Sequence, residues 1–204
     1  MIARIARGSW GTDRDAALHD ARERLLPAVR AREGYRGMMV VEDSAAAEII
    51  LTTYWSTAAE MSAAEAEVAG LCAEVLDAGD PQVDHLLVAV SVSAHAAAEG
   101  SWVRVLDATV DNDRMATAIT HFRQRVVGAL GQTPGFLSAV LFADPASART
   151  MVATAWDTGE HMLLSASRLA PLREESREFG MRIRRVWNAR LLLADLPAGV
   201  PAST

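Results

Sequence analysis

The residues whose types and spacing suit chemistry gather around two tryptophans, Trp55 and Trp156. A Trp offers a flat apolar face and one indole N–H, which suits the wall of a pocket for an aromatic ligand. His161 follows Trp156 by five residues, and an imidazole is the side chain best placed to act as a general base near neutral pH. Asn188 and Arg190 alternate with Arg184 and Val186, so on a strand they share one face and would line a cavity with polar groups. Tyr54 precedes Trp55 and would add a phenol that the second copy lacks, since Ala155 stands there. The catalytic candidates are therefore His161, Asn188 and Arg190, and the substrate-binding candidates Trp156, Trp55 and Tyr54. Each has a plainer reading. Large aromatics are commonly core residues, a histidine in the first turn of a helix commonly faces solvent, and Arg182, Arg184 and Arg185 near Glu174, Glu175 and Glu178 form a solvated ion-pair surface that needs no function.

Other chemistries are excluded. His19, His85 and His121 have no second His or Cys two or four residues away, so no metal site is expected. There is no Gly-rich phosphate loop, no nucleophile elbow and no paired-Cys motif. Chemistry without a cofactor, or binding alone, is what is left. A net charge of -6 argues against nucleic acid, which a basic face would have to neutralise. The single Cys72 forbids an internal disulfide and suits a reducing cytoplasm. The first ten residues lack the apolar core of a signal peptide, and no uncharged apolar run approaches the ~18 residues of a membrane span. The expected partners are a small hydrophobic or aromatic ligand and a second copy of the chain.

What positions these residues is a repeat. Residues 34–61 recur as 135–162 without a gap, at a shift of 101 positions that sets Asp43 on Asp144, Thr53 on Thr154, Trp55 on Trp156, Thr57 on Thr158 and Met61 on Met162. The same shift sets Ile2 on Val103, Arg22 on Arg123, Leu71 on Leu172 and Gly79 on Gly180. A repeat of about a hundred residues has the size of a small domain. The expected division is 1–97, 98–196 and a loose tail 197–204.

Within the first copy, strands are expected at residues 2–9, 35–42, 48–55 and 85–92. A helix capped by Thr12 or Asp13 follows the first strand, and Thr57 caps another after the third. Pro27 and its counterpart Gly128 should bend the first helix of each copy. Gly79, Asp80 and Pro81 stop the second helix. In the second copy Asp111, Asn112 and Asp113 supply caps, strands are expected at 102–110, 136–142, 150–156 and 183–193, and the helix over 159–179 should bend near Pro171. The order βαββαβ is the ferredoxin-like unit. The third strand carries apolar residues on both faces, Ile49, Leu51 and Trp55 against Ile50 and Tyr54, so neither face is made for water. The expected fold class is α+β: two ferredoxin-like βαββαβ repeats whose antiparallel sheets pack together as an intramolecular dimeric α/β-barrel.

The Gly-aromatic steps Gly34-Tyr35 and Gly135-Phe136, and the Trp that closes the third strand before a helix, Trp55-Ser56-Thr57 and Trp156-Asp157-Thr158, resemble those of the antibiotic-biosynthesis-monooxygenase group of dimeric α/β-barrel proteins, here in tandem. The resemblance implies a pocket between sheet and helices and, in some members, oxidation of flat polycyclic phenols by O2 without metal or flavin. Other members bind and degrade haem. Members acting on aromatic polyketides have an Asn four residues before the Trp and a Tyr six after it, where this chain has Leu51 and Met61, then Val152 and Met162. Haem-degrading members have a His ligand where this chain has Ala64 and Glu65, then Ser165 and Ala166. Only the Trp carries over. The resemblance thus implies a cofactor-independent monooxygenase of a flat aromatic or quinol-type molecule, with a non-catalytic small-molecule-binding or regulatory barrel as the alternative. Divergence of the copies favours one working site, in the second half.

Overall fold

A computed structural model of the protein describes residues 1–11, 13–43, 45–76, 81–111 and 113–196. The expectations for Thr12, Gly79, Asp80, Asn112 and the tail 197–204 lie outside these residues. The strands are β1 (Ile2–Gly8), β2 (Tyr35–Asp43), β3 (Glu48–Trp55), β4 (Gln82–Ser93), β5 (Trp102–Thr109), β6 (Phe136–Asp144), β7 (Arg149–Trp156) and β8 (Arg182–Asp195). Helical segments follow β1, β3, β5 and β7, so each repeat runs βαββαβ. The hydrogen-bonded strand order closes as a barrel, β1-β3-β2-β8-β5-β7-β6-β4. The α+β, double ferredoxin-like architecture is therefore the one the sequence indicates.

The compact units are not the repeats. Among the described residues, one comprises residues 1–86 with 190–196, and the other residues 87–189. Their boundaries fall inside β4 and β8. In the first unit the end of β8 pairs with β2, Val40 opposite Leu193 and Glu42 opposite Arg190. In the second, β4 from Leu87 onward pairs with β6, Val88 opposite Phe142 and Ser93 opposite Ser138. Without those strand ends β2 and β6 would present rows of unpaired backbone N–H and C=O groups.

The strand register also corrects one part of the repeat alignment. Trp55 faces Ile2 and Thr53 faces Arg4, while Trp156 faces Trp102 and Thr154 faces Arg104. The first strands of the two copies therefore correspond at a shift of 100, Arg4 to Arg104, and Ile2 matches Trp102 rather than Val103. The extra residue lies before the next helix, where the shift of 101 resumes.

That helix contains a π-helical turn in both copies, Ala21–Leu25 and Phe122–Val126. The Leu26 amide bonds the Ala21 carbonyl and the Val127 amide the Phe122 carbonyl, five residues back in each case. The expected irregularity is present, but Pro27 is not its cause, because the second copy makes the same turn with Gly128. Pro27 instead sits in the first turn of the resumed helix Leu26–Arg30, where its missing N–H is tolerated. Asp13, Thr57 and Thr158 cap their helices by accepting from the amides of Ala16, Glu60 and His161. Asp111 and Asp113 do not cap theirs; the N-cap is Arg114, without a side-chain bond. Gly159–Arg168 ends at Leu169, and Ala170–Ser176 restarts with Pro171 in its first turn, which is the expected break.

Among the described residues, no helix is long and apolar enough to cross a membrane. The first unit packs Leu25, Leu51, Trp55, Met61, Val68, Cys72 and Leu193 into one core. The second packs Val90, Phe122, Leu130, Leu141, Trp156 and Met162. In the first unit the end of β8 is also tied by Asp195, which accepts from Arg30 Nη2 at 2.6 Å and from the Tyr35 hydroxyl at 2.7 Å. The Arg30 hydrogen bond foremost holds the Asp195 carboxyl below the usual carboxylate range. A lowered folded-state pKa adds stability above the unfolded value and loses it as pH falls through the folded one. Asp195→Asn is expected to cost about 1–2 kcal/mol at pH 7. In urea titrations, the gap from the unsubstituted protein should hold down to pH ~5 and narrow below pH ~4.

Candidate functional site

The second unit encloses a cavity of about 270 Å³. Its apolar walls come from β5, β6 and β7 through Leu106, Leu141 and Val152, and from the helices through Phe122, Leu130 and Leu169. The π-helical turn contributes Phe122 and Val126. Such a turn shifts the side chains that follow it around the helix axis, and π turns recur at functional sites. Val186, 45% exposed, is also part of the lining, so the wall reaches the surface there.

Polar groups enter this apolar space at a few points: Arg104, Thr150, Thr154, Ser165, Arg173 and, on the helix after β5, His121. Arg104 Nε donates to Asn188 Oδ1 at 3.0 Å and its Nη1 to Ser165 Oγ at 3.2 Å. Arg173 Nη2 donates to the Ala166 carbonyl. Burial foremost, then the like charge of Arg173, hold the Arg104 guanidinium below its ordinary pKa, though a guanidinium stays charged throughout the physiological range. His121 packs on Phe179 with ring centroids 5.2 Å apart. Its Nδ1 lies 4.0 Å from a Glu175 carboxylate oxygen, and its Nε2 is buried with no hydrogen-bond partner. An orphaned buried nitrogen is costly unless a bound molecule or a small rearrangement supplies a partner.

The first unit fills the corresponding place differently. Arg4 is 1% exposed and donates from Nε to both Glu65 carboxylate oxygens, at 2.9 and 3.1 Å. Its Nη1 reaches Cys72 Sγ at 3.6 Å, and burial pushes that thiol up to about 11. The repeat sets Glu65 on Ala166 and Cys72 on Arg173. An internally neutralised arginine in one copy thus answers to two arginines and no carboxylate in the other.

No family model matches the chain. It is 28% identical over 151 residues to the uncharacterized protein Rv2557 of Mycobacterium tuberculosis, covering 72% of this chain and 67% of that one. A provisionally described monooxygenase of Fusobacterium nucleatum superposes with a TM-score of 0.75 at 11% identity, over 98% of this chain and 95% of that one. An anthrone oxidase-like protein superposes with a TM-score of 0.67 at 12% identity, over 100% and 96%. This shows a monooxygenase-like fold. At such identities it shows no activity.

The six candidates read from the sequence are placed as follows. Trp156 and Trp55 are fully buried, and each indole Nε1 donates to the Thr two residues earlier, Thr154 and Thr53, at 3.0 Å. Both belong to their core clusters, and Trp156 touches the cavity only through Thr154, which lines it. Tyr54 is 4% exposed in the first unit, its hydroxyl on Met39 Sδ at 3.2 Å. Arg190 also belongs to the first unit. Asn188 supports Arg104 from outside the lining. His161 lies outside it too, its Nδ1 2.7 Å from Asp157 Oδ1, a bond that foremost lowers the Asp157 pKa.

His121, Arg104 and Arg173 are the cavity-lining candidates that sequence reasoning passed over. The signal was in the copy comparison, where His121 replaces Asp20 and Arg173 replaces Cys72. Arg104 was hidden by the one-residue register shift, which set it on Ala3 instead of Arg4.

The Asp157 and His161 pair lies against Gly135. This glycine has φ +74°, and a Cβ there would collide with Asp157 Oδ1 and His161 Nδ1. Gly34, at φ +78°, meets Glu60 in the same way. Gly135→Ala is expected to destabilise by about 1–3 kcal/mol in urea unfolding. Gly128→Ala, a helical site with nothing within 4 Å of the added carbon, should instead stabilise by about 0.5–1 kcal/mol.

Proposed function

We propose that the second unit's cavity binds a flat, mostly apolar small molecule and oxidises it with O2, without a cofactor. The observation that carries this reading is the cavity itself: apolar walls, with His121 as the side chain in its lining best suited to exchange a proton near neutral pH. An activated CH2 between aromatic rings, as in an anthrone, would lose a proton to His121, supported by Glu175. The resulting enolate would lie in the field of Arg104 and Arg173. That carbanion reduces O2 directly. One oxygen atom ends in the new carbonyl, the other leaves as water with the two hydrogens of the CH2 group, and no outside electrons are needed. The protein contributes placement, a base and exclusion of water.

The decisive assay is O2 uptake with anthrone as probe. The unsubstituted protein should exceed the spontaneous rate, and His121→Gln should lower kcat about 10²-fold or more. His161→Gln, outside the lining, should leave kcat within about twofold, as surface changes generally do. Saturable anthrone binding with O2 uptake at the spontaneous rate would leave a binding protein and end the oxygenase reading.

A further inference from the structure

We infer that the second unit's cavity selects molecules bearing a carboxylate, held between Arg104 and Arg173, so that the ligand is an apolar acid. This rests on the cavity being a ligand site, as proposed above, but not on any oxidation taking place there.

Four observations converge. Both guanidinium groups line the cavity, and they lie close enough for Arg173 to disfavour the charge on Arg104. Their hydrogen-bond partners among the described residues are neutral: Asn188 Oδ1, Ser165 Oγ and the Ala166 carbonyl. Of the five N–H donors of a guanidinium, Nη2 of Arg104 and Nε and Nη1 of Arg173 are left for another acceptor. Two like charges half-removed from water with no counter-ion are unfavourable, and a carboxylate matches a guanidinium fork with two parallel bonds.

The first unit shows the same position satisfied from within. There Glu65 supplies both oxygens to Arg4. Its counterpart Ala166 removes the carboxylate and leaves room, and Arg173 in place of Cys72 adds a second cation. The change from one copy to the other deletes an internal anion and doubles the positive charge beside an apolar space. That combination fits an external anion with an apolar body.

Arg173 also borders a second, more polar depression with Arg177, Arg182 and Glu174. Arg177 is partly occupied by Glu174, at 2.9 Å. A cationic margin next to the cavity favours the approach of an acid.

The test compares 2-naphthoate with 2-naphthamide, which has nearly the same shape and no charge, by isothermal titration calorimetry on the full chain. The naphthoate is expected to bind at least tenfold tighter. Arg104→Gln and Arg173→Gln should each remove most of that preference and leave the naphthamide affinity within about threefold. Ala166→Glu reproduces the first unit's arrangement and should weaken naphthoate at least tenfold with little effect on naphthamide, which keeps the test decisive if an Arg variant misfolds. Equal affinity for acid and amide in the unsubstituted protein would overturn the carboxylate inference while the ligand cavity stands. A preference that survives Ala166→Glu and either Arg substitution would do the same. Binding of neither compound would overturn both.

Discussion

Everything in this fold depends on the backbone edges of β2 and β6 finding partners. A strand edge left bare costs unpaired amides and invites aggregation. Here the end of β8 completes the sheet of the first unit, and β4 from Leu87 onward completes that of the second. Two long strands therefore serve two masters, and their lengths, 12 residues for β4 and 14 for β8, follow from that. The side chains they carry are divided the same way: Val186 and Asn188 belong with the cavity, Arg190 and Asp195 with the first unit.

Much of this was legible in the chain itself. The gapless repeat, the Thr caps at Thr57 and Thr158, the breaks at Gly34 and near Pro171, and β3 with two apolar faces all depend on local residue types. Such signals survive in a single sequence. What the sequence concealed was non-local. The ownership of β4 and β8 depends on hydrogen bonds across long separations, and the equivalence of Arg4 and Arg104 depends on strand register, where one residue changes every partner. Reading the repeat as rigid set Arg104 on Ala3, and so hid the two arginines as a change between copies.

Of the candidate site, the sequence indicated the half of the chain and the strand face, but not the residues that line the cavity. The second half does hold a cavity, and the polar face of β8 does meet it through Val186 and through the Asn188 bond to Arg104. The tryptophans drew attention because their spacing repeats, but a repeated residue is one that both copies need. Trp55 and Trp156 meet the same need, filling the junction of sheet and helix with the indole N–H bonded to a neighbouring Thr. The proposed site lies where the copies differ, at Asp20 against His121, Glu65 against Ala166 and Cys72 against Arg173.

The paired π-helical turns show that the same distortion can serve two interiors. They occupy the same place in both copies although their sequences, ARERL and FRQRV, share only the two arginines. Proline follows one and glycine stands in that place in the other. An irregularity that appears twice under different side chains is tied to its place in the fold rather than to particular residues. In the second unit the turn presents Phe122 and Val126 to an open space, while in the first Ala21 and Leu25 are packed in solid core. One backbone distortion thus serves a filled interior in one unit and a cavity wall in the other.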